Sequence, residues 1–317
     1  MSKIFLSLEV SIFLFVETFL FFMLLIAMYH TLTILLKYNR DATGSLQYIL
    51  EKKSYLVGVI VWVALVVKIF LLLFFVYTLS ELADIVPGAM CGAGVIGSNI
   101  YGEPLLLLKI AIVFLACLWI LLNIEEQRDI KRTFFRVKLW FFGGLFFLIV
   151  LEAILETFFL SNISTQNPVL CCSTIYKDTE LGVAVPFKIS NMVLVPLFYF
   201  SLALTVVSNY KKYKVVNIFL TLLFSYISYY AIVYFFGTYI YELPTHKCPF
   251  CLFQSEYNYI GYFIFGSLFV ASFYSISSSL SIFATKSYGK AILWYLLFFS
   301  IVSYNFIFYI INNRALL

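Results

Sequence analysis

Apolar residues run along this chain in long uninterrupted stretches rather than in the two- or 3.6-residue alternation of half-buried elements. Eight stretches are long enough to cross a bilayer, at about 20 residues each. They cover residues 8–36, 55–79, 105–124, 137–160, 191–208, 216–239, 259–283 and 292–311. Backbone N–H and C=O groups find no water in the hydrocarbon, so each stretch is expected to close its own hydrogen bonds as a helix. The pattern therefore predicts an all-α, polytopic transmembrane helical bundle of about eight spans, forming one integral membrane domain over residues 1–317. The first stretch is too long for the core of a signal peptide and has no small-residue cleavage site behind it, so it reads as a retained span.

The polar connections alternate in charge. Lys37, Arg40, Lys52 and Lys53 lie in the first connection; Arg128, Lys131, Arg132, Arg136 and Lys138 in the third. Lys211, Lys212 and Lys214 follow in the fifth, and Lys286 and Lys290 in the seventh. These are 14 of the 21 basic residues; the opposite side holds only Lys3, Lys177, Lys188, Lys247 and Arg314. Basic residues collect on the cytoplasmic side, which puts both termini on the outer face and predicts a multi-pass protein of a cell inner membrane. Three outer loops result, at 80–104, 161–190 and 241–258.

Composition agrees. Hydrophobic residues make up 63% of the chain and charged ones 12%, where a soluble domain has about a quarter charged. Lipid is thus an expected partner. The net charge of +5 belongs to the orientation signal. With no basic patch interleaved with exposed aromatics, it does not suggest nucleic acid.

Five of the six cysteines fall in the outer loops: Cys91, the adjacent pair Cys171-Cys172, and Cys248 and Cys251; Cys117 is in the third span. An outer or lumenal face permits disulfides. Structural bridges tying the loops together would account for the enrichment, though not for the odd number or the close spacings. Cys248-Pro249-Phe250-Cys251 has the spacing of a redox pair. If it opens the seventh span, Cys248 becomes the N-cap and Pro249 the first helical residue. The helix terminus would then favour a reactive thiolate. The same cysteines, with Met90 and His246, also make a set of soft and borderline ligands for copper, zinc or mercury. Haem is disfavoured: Leu252 stands where covalent attachment needs histidine, and His30 and His246 belong to opposite sides.

The run Cys248-Pro249-Phe250-Cys251-Leu252-Phe253-Gln254 resembles the DsbB family of quinone-linked disulfide-generating membrane proteins and, more distantly, the vitamin K epoxide reductase family. The resemblance implies that Cys248 and Cys251 are the quinone-proximal catalytic pair and that Gln254 contributes to quinone binding. It implies a second pair, drawn from Cys171, Cys172 and Cys91, taking electrons from a thioredoxin-like protein on the outer face. Ser255 departs from that family's arginine, and eight spans exceed its four or five. The functional expectation is a membrane thiol–disulfide oxidoreductase. The alternatives are a thiolate metal-binding or metal-transport protein, or an accessory subunit of a larger membrane complex.

Glu17, His30, Lys68, Lys109, Glu152 and Glu156 lie in or near spans, where ionisable residues are costly. Lys68 is expected to pair with Glu152 or Glu156, and Lys109 to snorkel to the outer interface. His30 reads as packing.

Overall fold

A computed structural model describes residues 3–38, 44–129, 133–164, 168–169, 183–184, 189–280 and 287–312. Eight helices among them are long and apolar enough to cross a membrane, so the chain is an all-α multi-pass membrane protein. Between 28% and 50% of each span's apolar stretch is buried within the protein. The remainder, including Phe15, Leu107, Phe147 and Leu293, is surface that only lipid can cover without a large hydrophobic penalty.

In chain order the elements are α1 (Leu8–Lys37), α2 (Ser45–Leu82), a short α3 (Gly92–Ile96), α4 (Gly102–Arg128) and α5 (Phe135–Ser161). The strands β1 (Val183–Ala184) and β2 (Ile189–Ser190) then pair antiparallel. α6 (Asn191–Lys211) and α7 (Lys214–Ala231) follow, and a π-helical turn at Ile232–Phe236 runs into α8 (Gly237–Tyr241). α9 (Ile260–Ser279) and α10 (Tyr288–Ile311) complete the chain. The second span begins ten residues earlier than the apolar run, so Lys52 and Lys53 extend a helix rather than sit in a loop. Straight-chain residues such as Lys, Glu and Gln have good helix propensity, and 45–54 continues the helix into water.

Two compact units divide the chain: Met1–Val86 with Ile96–Asn167, and Pro87–Val95 with Pro168–Leu317. The single membrane domain expected over 1–317 spans both. In the first unit α1 packs on α2 and α5, and α4 on α2 and α5. In the second, α6 packs on α7 and α10, and α9 on α7 and α10. Each is a four-helix ring with sequence neighbours adjacent, the arrangement that short antiparallel connections favour. The repeat is one of packing, since the sequence carries no convincing repeat.

The first unit is bound by charge. Lys68 (α2) lies 2.7 Å from Glu17 (α1) and 2.6 Å from Glu152 (α5). Lys109 (α4) lies 3.2 Å from Glu17, 2.6 Å from Glu152 and 2.7 Å from Glu156. All four spans contribute. The pairing of Lys68 with Glu152 follows expectation; the snorkelling of Lys109 does not. Lys109 is 3% exposed, because three carboxylates inside the ring offer it more than the interface does. Lys138, counted with the cytoplasmic loops, is likewise buried, with its ammonium 2.7 Å from Glu126.

The second unit has an aromatic core: Phe198 stacks edge-on against Phe236 at 5.0 Å and packs beside Phe224 and Phe298. Beside it, Asn217 donates to Ser275 and Ser279, and Thr221 pairs with Ser275, joining α7 to α9.

Candidate functional site

The site lies in the second unit, at the end where α8 finishes and α9 begins. Tyr241 ends α8 and Glu242 caps it in the left-handed region at φ 57°, turning the chain out of the bundle. Cys248 then caps a 3₁₀ helix, Pro249–Phe253, with Pro249 at its first position. The capping positions are those expected. The helix is not: it has five residues and stops at Gln254, and the seventh span begins only at Ile260. One turn carries little dipole, so the expectation that the span's terminus activates Cys248 is not met.

Close packing holds the turn. A Cβ on Gly261, in the first turn of α9, would lie 3.0 Å from the backbone of Leu252. Glycine there lets the span seat directly on the cysteine turn. The Tyr241 hydroxyl donates to the Cys248 carbonyl, and its ring meets His246 at 4.4 Å and Tyr257 at 4.7 Å. Partial burial, then charge on Cys251 and Glu256, push the Tyr257 phenol up, keeping it protonated.

The third cysteine, Cys91, arrives from 157 positions away in sequence. Residues 87–95 pack with the second unit although both flanks belong to the first. Val169 donates its N–H to the Pro87 carbonyl at 2.9 Å. Gly88 has φ 82°, and a Cβ there would stand 2.7 Å from the Val169 carbonyl oxygen; only glycine fits. Gln254 donates from its amide to the Met90 carbonyl at 3.3 Å, so the residue expected to bind quinone ties the cysteine turn to this segment.

Cys91 Sγ then lies 3.3 Å from Cys248 Sγ. That exceeds a disulfide bond of about 2.05 Å and is within sulfur hydrogen-bonding range. The sulfurs of Cys91, Cys248 and Cys251 all lie within 4.8 Å of one another, and the residues are 0%, 2% and 5% exposed. Three of the five cysteines singled out in the sequence are thus one buried cluster. Cys171 and Cys172 lie outside the described residues. Of the further metal ligands expected, His246 does not join the mutually close set. Met90 is 71% exposed, its side chain turned to the surface while its neighbour Cys91 is buried. Cys117 belongs to the first unit and is not one of the mutually close set. Tyr241 escaped the sequence reading, since it belongs to no cysteine motif; Gly88 stands in the glycine-rich run 87–94 around Cys91, but nothing in the run marked it as the residue that places the sulfur.

Three thiols in mutual reach, shielded from water, can exchange disulfides or share a soft metal ion. Compared with known proteins, the chain matches no family model, no curated sequence and no solved structure.

Proposed function

We propose that this protein is a membrane thiol–disulfide oxidoreductase, with Cys248 as the central sulfur of a three-cysteine exchange. The observation that carries this reading is the 3.3 Å approach of Cys91 Sγ to Cys248 Sγ, with Cys251 Sγ inside the same 4.8 Å. With Cys248 and Cys251 disulfide-bonded, the Cys91 thiolate attacks Cys248 Sγ. A Cys91–Cys248 bond forms, the Cys248–Cys251 bond breaks, and Cys251 leaves as a thiolate that takes up a proton. Reversal returns the electron pair. Exchange requires an attacking thiolate and an accessible sulfur, and the close approach supplies the second.

The electron acceptor is a lipid-soluble quinone, in keeping with the local resemblance at Cys248–Gln254. Two electrons and two protons leave the Cys248/Cys251 dithiol, and quinone becomes quinol. The donor is a thioredoxin-like protein on the outer face, entering through Cys171-Cys172 or through one of them paired with Cys91. The fourteen-to-five division of basic residues supports an inner-membrane location with the cysteine face and both termini outward.

The test uses purified full-length protein, a short-chain quinone and a dithiol reductant, with alkylated peptides read by mass spectrometry. Quinone is expected to oxidise Cys248 and Cys251, and Cys251→Ser to accumulate a mixed disulfide at Cys248. An unchanged thiol state of Cys91, Cys248 and Cys251 across the quinone range would overturn the reading.

A further inference from the structure

We propose that the reduced cluster of Cys91, Cys248 and Cys251 is also a three-sulfur binding site for a soft monovalent ion, Cu(I). The inference deepens the reading of this cluster as reactive thiols, but it needs only the reduced cluster and no electron acceptor. Metal–thiolate bonds of about 2.3 Å place the sulfurs of a planar three-coordinate site about 4.0 Å apart. The three sulfurs already lie within 4.8 Å of one another, with one pair at 3.3 Å. A triangle with sides of about 4.0 Å differs from these separations by less than about 1 Å.

The surroundings choose among metals. Thiolates favour soft ions such as Cu(I) and also bind zinc, which completes four ligands. Among the described residues no histidine or carboxylate joins the three sulfurs. The cysteines are almost fully buried, which leaves little access for a water to serve as the fourth ligand. Pro249, Phe250 and Leu252 are buried in the same turn, and with no carboxylate among the described residues joining the sulfurs the site disfavours a harder, strongly hydrated cation. The backbone that delivers the ligands is set in advance: Gln254 on Met90 and Tyr241 on the Cys248 carbonyl fix both sides of the triangle.

Metal loading and disulfide exchange exclude each other, since a ligated thiolate is not free to attack. Cu(I) would therefore hold the cluster reduced and block turnover.

The experiment titrates reduced, chelator-washed protein with Cu(I) under anaerobic conditions, against a chromophoric Cu(I) chelator. The expected result is one equivalent bound with a thiolate-to-copper ultraviolet band. Affinity should drop about 100-fold or more in each of Cys91→Ser, Cys248→Ser and Cys251→Ser, a ligand loss costing at least what a supporting residue does. Cys117→Ser should bind as the parent does. Retained affinity in any of the three single variants, or preference for Zn(II) over Cu(I), overturns the proposal. Because no quinone is present, failure here leaves the thiol exchange untouched. Failure of the quinone assay likewise leaves the copper titration standing.

Discussion

Gly88 shows how much of the site depends on one missing side chain. Its φ of 82° is open to glycine and strained for other residues, and its Cβ position coincides with the Val169 carbonyl. A left-handed non-glycine residue costs about 1–3 kcal/mol where surroundings impose it, and the 2.7 Å overlap adds to that. Gly88→Ala should therefore displace segment 87–95 and carry Cys91 away from Cys248. The check is mild-oxidant cross-linking of Cys91 to Cys248, followed by mass spectrometry. The yield should fall sharply while the helical content by circular dichroism stays at the parent level. A parental cross-linking yield would show that the Pro87–Val169 clasp does not place Cys91. Tyr241 is a comparable case: its hydroxyl satisfies the carbonyl of Cys248 itself.

Between elements, the first unit's four spans meet at five charged side chains. Taking a charge out of water costs several kcal/mol, recovered only with close partners, and removal of one partner costs about 3–5 kcal/mol. The partners are unequal. Glu152 receives both Lys68 and Lys109, whereas Glu156 receives Lys109 alone. Glu152→Gln removes the carboxylate that both ammoniums share, leaving Lys68 with Glu17 and Lys109 with Glu17 and Glu156, and should lower stability by up to about 3 kcal/mol. Glu156→Gln should cost clearly less, because Lys109 keeps Glu17 and Glu152. Thermal unfolding in detergent, monitored by tryptophan fluorescence, separates the two. Equal losses would mean the network acts as one undivided charge cluster rather than through the contacts of each carboxylate.

At the scale of the whole molecule, orientation follows from charge. The basic connections face the cytoplasm if the usual asymmetry applies, and the cysteine loops then face out. Ile100 is 81% exposed on a connection expected to face out, and Lys211 is exposed at the end of α6 on the basic side. In intact cells a membrane-impermeant thiol reagent should label Ile100→Cys above the parent level and leave Lys211→Cys at it. Labelling of Lys211→Cys alone would invert the topology and move the thiol chemistry to the cytoplasmic face. The division into two four-helix rings belongs to this scale too, as does the excursion of residues 87–95 from the flanks of one unit into the other.

The number and helical nature of the spans were legible in the sequence, because lipid imposes one requirement on every residue of a run and about 20 residues meet it together. The gathering of five cysteines into alternate loops was legible for the same reason. Pairing of Lys68 with Glu152 could be anticipated, since a charge in hydrocarbon needs a counter-charge. Partner choice beyond that depended on helix adjacency. Lys109 is buried because four particular spans close a ring, and no local pattern encodes the ring. The terminus of the seventh span lies beyond the 3₁₀ turn because Gly261 seats the span against Leu252, a contact between segments rather than a propensity. Above all, the meeting of Cys91 with Cys248 and Cys251 was a tertiary decision: it takes a positive-φ glycine, a backbone hydrogen bond to Val169 and the amide of Gln254 to bring a sulfur across 157 positions to 3.3 Å.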